Sequence, residues 1–304
     1  MIKITKSSDP IEVKQLVVCI HGDPGIGKTS LAFTAEKPLC LAFDAGVYRA
    51  GSLRGDCSLV QQWSDVGNLT AADFAGYKTV IVDTAGRALD CLGATLIAED
   101  PKNANRNGGL SLPGFGALKT TFTQWLKNLQ YIGLDVVLVC HSDEQRKGDE
   151  LITRLDMQGA SKNEVYKSAD MMGSESLERG KRVLNFSPTD TAFGKNPGQL
   201  PKLMVPDAGP EFSGFLAKAI AATKAALNKQ GAAHVAEKVS QAQWAEKIEK
   251  AVTPEDFNGI IGAAMAEGAP KVIGQMIAKA AKGLGFELDK ATKTYRDAVA
   301  KAAP

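Results

Sequence analysis

Apolar residues in this chain come first as short unbroken runs and later at helical spacing. Residues 15–20, 38–43, 79–82 and 135–140 are nearly all apolar. A run that short, with no polar face, predicts a strand covered on both sides, as in a parallel sheet. Between the runs the spacing predicts a short helix over 29–35, a helix after "VDTAG", and a longer one that puts Leu118, Phe122, Trp125 and Leu129 on one face. Strand and helix alternate, which is the pattern of an α/β fold with a mostly parallel central sheet. After Cys140 the chain turns polar from Ser142 to Tyr166, and "RVLNF" and "PKLMV" then read as two strands pairing around "SPTDTAFGKNPGQL".

From about Pro210 onward no strand pattern is visible. The chain becomes rich in Ala and Lys, with Val235, Val239, Trp244 and Ile248 at helical spacing, and Thr253-Pro254-Glu255 reads as an N-cap with proline at the first helical position. The pattern therefore divides the chain into an α/β core over 1–208 and a small all-helical domain over 209–304, entered through a flexible "NKQGAAHVAE".

Composition changes this picture little. The 304 residues are 44% hydrophobic and 23% charged with a formal net charge of +2, so any grip on a polyanion must come from local clusters of Lys and Arg. The five cysteines are irregularly spaced, and three of them (Cys19, Cys40, Cys140) fall inside apolar runs, which fits small core residues in a reducing compartment. "MIKITKSSDP" has no hydrophobic signal core and no run is long enough to span a bilayer, so the expected location is cytoplasmic, with no membrane partner.

The candidate chemistry begins at the end of the first run. Gly22-Asp23-Pro24-Gly25-Ile26-Gly27-Lys28-Thr29 fits G-x-x-x-x-G-K-[ST] between a predicted strand and a predicted helix. Glycines there let successive backbone N–H groups face inward around phosphates, with the start of a helix behind them. Lys28 is placed to reach β and γ phosphates and the Thr29 hydroxyl to ligate Mg²⁺, with Ser30 a lesser phosphate contact. The run "YKTVIVD" ends in Asp83, where a second contact to the ion is needed.

"DTAGR" also looks like the second phosphate motif of GTPases, but the strand "DVVLVC" leads into His141-Ser142-Asp143-Glu144 rather than a guanine-reading Asn/Thr-Lys-x-Asp. A small-molecule kinase would need an arginine-rich lid, for which Arg146 and Arg154 are weak candidates. Thr84, not Glu, follows Asp83, which argues against the ring-forming AAA+ class.

The P-loop through "LCLAFDAG", the passage ending "YKTVIVDT", "DVVLVCHSDE", "SADMMG" and "FGKNPGQLPKLMVP" together resemble phage-encoded RecA-like P-loop ATPases, some of them single-strand annealing proteins of phage recombination. The likeness covers roughly residues 10–206. It implies a RecA-like core, ATP and Mg²⁺ as cofactors, and self-association into a ring or filament. It also implies single-stranded DNA as partner, a single-strand-binding protein as an optional one, and the host-cell cytoplasm as location.

Relatives of this kind carry a water-orienting glutamate just past the second strand, and the corresponding place here is Gly46, with Asp44 a shorter substitute two residues earlier. Hydrolysis is therefore expected to be weak or DNA-dependent. The resemblance also assigns His141 the place of a γ-phosphate sensor, and Lys195, near Lys181 and Arg182, the place of a basic group reaching a neighbouring subunit. Two polar loops are expected to meet DNA through Lys102, Arg106 and Phe115 in the first and Arg146, Lys147 and Arg154 in the second, with Lys162 beside them. A packing or oligomerisation bundle is the preferred reading of the C-terminal helices.

Overall fold

A computed structural model of the chain describes residues 2, 4–7, 9–148, 150–289 and 291–298, with only the backbone of Lys147 and Glu150. The first elements are β1 (Val17–Gly22), α1 (Lys28–Ala32), β2 (Pro38–Ala42), β3 (Asp56–Leu59), β4 (Thr79–Asp83), α2 (Ala85–Glu99) and α3 (Leu112–Tyr131). β5 (Asp135–Lys147), β6 (Glu150–Leu155), α4 (Ser161–Ser168), β7 (Met171–Glu178), β8 (Lys181–Asn185) and β9 (Leu203–Met204) complete the sheet. The helices α5 (Phe215–Glu249), α6 (Pro254–Ala266) and α7 (Lys271–Gly283) follow, then β10 (Phe286–Asp289) and β11 (Thr294–Asp297).

The sheet order is β3-β2-β4-β5-β1-β7-β8-β9. Pairing is parallel from β3 to β7 and antiparallel through β8 and β9, which include the predicted "RVLNF" and "PKLMV" strands. The four apolar runs are four adjacent strands, β2-β4-β5-β1, and they are apolar on both faces because helices cover both. Residues alternate between two cores. Cys19, Leu41, Val80, Val82, Val136 and Leu138 pack with α2 and α3 on one face. Val18, Ile20, Cys40, Ile81, Val137 and Val139 pack with Leu31 of α1 and with Phe212, Leu216 and Ile220 on the other. Leu118, Phe122, Trp125 and Leu129 of α3 are all buried, as their spacing predicts. The Trp125 indole N–H donates to Val66 O at 2.8 Å, and its ring lies among those of Phe43, Trp63 and Phe122.

Three expectations change. The polar stretch after Cys140 is not a loop: β5 continues to Lys147 and pairs antiparallel with β6, from Ser142↔Leu155 to Lys147↔Glu150. Its described side chains are exposed or half-buried apart from Leu155, which joins the core, so the hairpin needs no apolar run. "NKQGAAHVAE" is not a flexible entry but the middle of α5; Ala, Lys, Gln and Glu favour helix, and one Gly costs only about 1 kcal/mol against them. The compact core ends at Asn228, past the composition change at 208/209, because Phe212, Leu216 and Ile220 are buried in it.

The second compact unit holds the described residues before Val13 and after Asn228. Its own core gathers Trp244, Ile248, Phe257, Ile273, Ile277 and Tyr295. The region is helical, and α6 starts as expected with Thr253 as N-cap, Pro254 in the first turn and a capping box completed by Asp256. It also contains the β10–β11 hairpin, which the helical pattern did not reveal; Asn258 of α6 holds it by bonding both backbone groups of Tyr295, at 2.5 and 3.0 Å.

Candidate nucleotide site

The parallel strands end together, and the loops after them form a cavity of about 220 Å³. Its walls include Pro24, Gly25, Gly27, Lys28, Thr29 and Ser30 from the β1–α1 loop, with Asp83 and Thr84 from the end of β4 and His141 from β5. The register explains the grouping. β5 lies between β1 and β4, so Gly22 stands beside His141 and Asp83 beside Val139. This is the carboxyl-edge crevice where α/β sheets take ligands.

The glycines of the loop have separate reasons. Gly25 and Gly27 have φ of 82° and 113°, which disfavour a side chain. At Gly22 the backbone is extended, but a Cβ would lie 2.3 Å from Glu175 O on the neighbouring β7, so close packing requires glycine. α1 starts with no side chain capping it, and the Lys28 ammonium is buried and bonds Gly22 O at 2.8 Å and Asp23 O at 2.7 Å. Burial lowers the Lys28 pKa, against the opposing pull of Glu175 and Asp83.

Across the cavity the Thr29 hydroxyl donates to Asp83 Oδ2 at 2.9 Å. Asp83 is buried, and its other oxygen, Oδ1, has no hydrogen-bond partner among the described residues. Burial raises its pKa, with the Thr29 bond acting in the opposite direction. A buried carboxylate oxygen with nothing to accept from, next to a threonine hydroxyl, fits a hard divalent cation that takes oxygen ligands. His141 is half-buried with Nδ1 unpartnered among the described residues, and burial followed by Lys28 lowers its pKa.

Asp44 also lines the cavity, but its Oδ1 accepts from Gly46 N at 2.8 Å and caps the 3₁₀ segment Ala45–Leu53. Two residues that sequence reading did not bring to the site belong to its surroundings. Arg49 lines the cavity from that 3₁₀ segment. Glu175, on β7 behind the loop, is buried with neither carboxylate oxygen hydrogen-bonded among the described residues, and Arg182 Nη1 lies 3.6 Å from Oε1. Strand pairing brings these last two together, and no motif marks them. Arg182 also donates to Pro206 O and sits over the Phe212 ring.

The remaining candidates lie elsewhere. The Lys195 ammonium donates to Ala169 O at 2.6 Å and Lys167 O at 3.5 Å, within its own chain. Lys102, Arg106 and Arg146 are exposed, and the side chain of Lys147 lies outside the described residues. The Phe115 ring, in the first turn of α3, is part-exposed. Arg154 is stacked 4.5 Å over the Phe193 ring and donates to Thr153 O, so it is held in place rather than loose on a loop.

A glycine loop between a buried strand and a helix, with the threonine that follows the loop bonded to an aspartate at the end of another parallel strand, defines a P-loop NTPase on a mostly parallel sheet. Residues 14–197 match the family described as AAA domain, and the chain belongs to that family. Thr84 after Asp83, which argued against the ring-forming AAA+ class, is no obstacle to membership of this family. No curated protein matches the chain. Among solved structures it is similar to a prototypical ATPase from the type III secretion system of pathogenic bacteria, at 13% identity and a TM-score of 0.35, over 54% of this chain and 51% of that one. The chain thus spans about half the length of that protein. Among the described residues no helix is long and apolar enough to cross a membrane.

Proposed function

We propose that the chain binds ATP with Mg²⁺ and acts as a RecA-like phage recombination protein that binds single-stranded DNA and promotes strand annealing, with weak or DNA-dependent hydrolysis. The observation that carries the nucleotide half is the 2.9 Å Thr29–Asp83 bond with Asp83 Oδ1 buried and unpartnered beside the P-loop. Backbone amides of the loop and Lys28 would hold the β and γ phosphates, and Thr29 with Asp83 would hold the ion. The ion supplies positive charge against the phosphate oxygens. Turnover is slow in this reading because Asp44 is engaged as a cap and Gly46 has no carboxylate to orient water.

The DNA half rests on the resemblance, supported by exposed Lys102, Arg106 and Arg146 and by the part-exposed Phe115. Self-association and a single-strand-binding protein as partner belong to the same proposal. A second reading, in which ATP orders an assembly and no strand is bound, is favoured by the stacking of Arg154 on Phe193. Titration of a fluorescent single strand at low salt, with and without ATP, separates the two. The annealing reading expects ATP-promoted binding that weakens steeply as salt rises, and an ATP-loaded protein that ignores single strands at low salt rejects it. Competition with GTP tests the choice of base.

A further inference from the structure

We propose that Arg49 is a phosphate-binding residue of this site, supplied by the same chain and seated on Gly46, and that it reads the terminal phosphate of a nucleoside triphosphate. The inference rests on the nucleotide reading above and extends it.

Gly46 stands where the resemblance places a water-orienting glutamate. Its φ is not in the left-handed region, so backbone freedom does not explain the glycine. Space does. A Cβ built there would lie 2.3 Å from Arg49 Nη2, 2.6 Å from Cζ and 3.0 Å from Nε, so the guanidinium lies across the glycine and any side chain would push it away. A guanidinium thus lies over the position where the resemblance implies a carboxylate.

The position of Arg49 is consistent with a ligand contact rather than with support of the fold. Arg49 shares the cavity wall with Lys28, Thr29, Asp83 and His141. Its side chain is 67% exposed, and its ion pair with Asp44 is long, at 3.8 Å; such a pair adds little to stability. The guanidinium also lies 5.8 Å from the centre of the exposed Tyr48 ring. Asp44, fixed on Gly46 N, lies within ion-pair reach of the guanidinium. A cation held there, across from the P-loop lysine, meets the charge that distinguishes a triphosphate from a diphosphate, and a planar guanidinium suits paired phosphate oxygens.

The test uses the full chain with Mg²⁺ and compares affinity for a non-hydrolysable ATP analogue with affinity for ADP. Arg49→Ala is expected to weaken the triphosphate about tenfold and ADP less than about twofold, with an unchanged melting temperature because the side chain is exposed. Gly46→Ala, which the backbone allows, is expected to shift the same ratio in the same direction, and Arg49→Lys to restore part of it. Equal losses for both nucleotides, or none, overturn the assignment of Arg49. A wild-type chain that binds neither nucleotide overturns the nucleotide reading as a whole, which distinguishes the two failures.

Discussion

At Glu175 the sheet buries a carboxylate with no hydrogen-bond donor among the described residues and the Arg182 guanidinium 3.6 Å away. Burial pushes its pKa up to about 7, against the pull of Arg182 and Lys28. Because folding raises this acid's pKa, its contribution to stability is complete below the unfolded value and is lost as pH rises through about 7. Urea denaturation of wild type and Glu175→Gln at pH 5 and pH 8 should therefore show the variant gaining on the order of 2–3 kcal/mol relative to wild type at the higher pH. A difference independent of pH would remove this account. Asp83 makes a contrasting prediction. Asp83→Asn should abolish the part of ATP affinity that depends on Mg²⁺ and leave Mg²⁺-free binding nearly unchanged, as read by titration with and without EDTA. Asp83 was legible in sequence because it ends an apolar run two positions past Ile81, in a chain that already had a P-loop. Glu175 was not, because a lone acid after "MMGS" acquires meaning only when β8 pairs beside it and brings Arg182 near.

At the scale of elements, periodicity was a reliable guide in α3, where four residues at helical spacing are all buried. Phe122 of α3 is fully buried beside the Trp125 indole in the core on one face of the sheet. Phe122→Ala should cost about 3–5 kcal/mol in chemical denaturation. The start of α6 was legible for a different reason, since capping is local chemistry. Thr253→Ala should destabilise the C-terminal unit by about 1 kcal/mol, seen as a lower midpoint in a probe of the Trp244 environment. The β5–β6 hairpin, β3 and β10–β11 were not legible. Their residues are polar or mixed, and each is a strand because a neighbouring backbone is there to pair with it, not because of its own pattern.

For the whole molecule, the division at Asn228 predicts that residues 13–228 unfold cooperatively by themselves and bind nucleotide within about twofold of the full chain. Thermal melting and nucleotide titration of that fragment check it, and a fragment that does not fold would show that the helical unit is needed for the core. The sequence by itself determined the α/β class, the phosphate loop with Lys28 and Thr29, the aspartate at the end of β4 and the helical character of the C-terminal region. These follow from order along the chain: strand, glycine turn and helix are adjacent, and an apolar run reports burial directly. Only the tertiary structure decided that His141 stands between the P-loop and Asp83, that Arg49 occupies the space over Gly46, that Glu175 lies beneath the loop and that the core continues into α5. Each of these depends on which strands lie side by side, and that is fixed by packing two helical layers on one sheet, a long-range agreement that no local stretch of sequence contains.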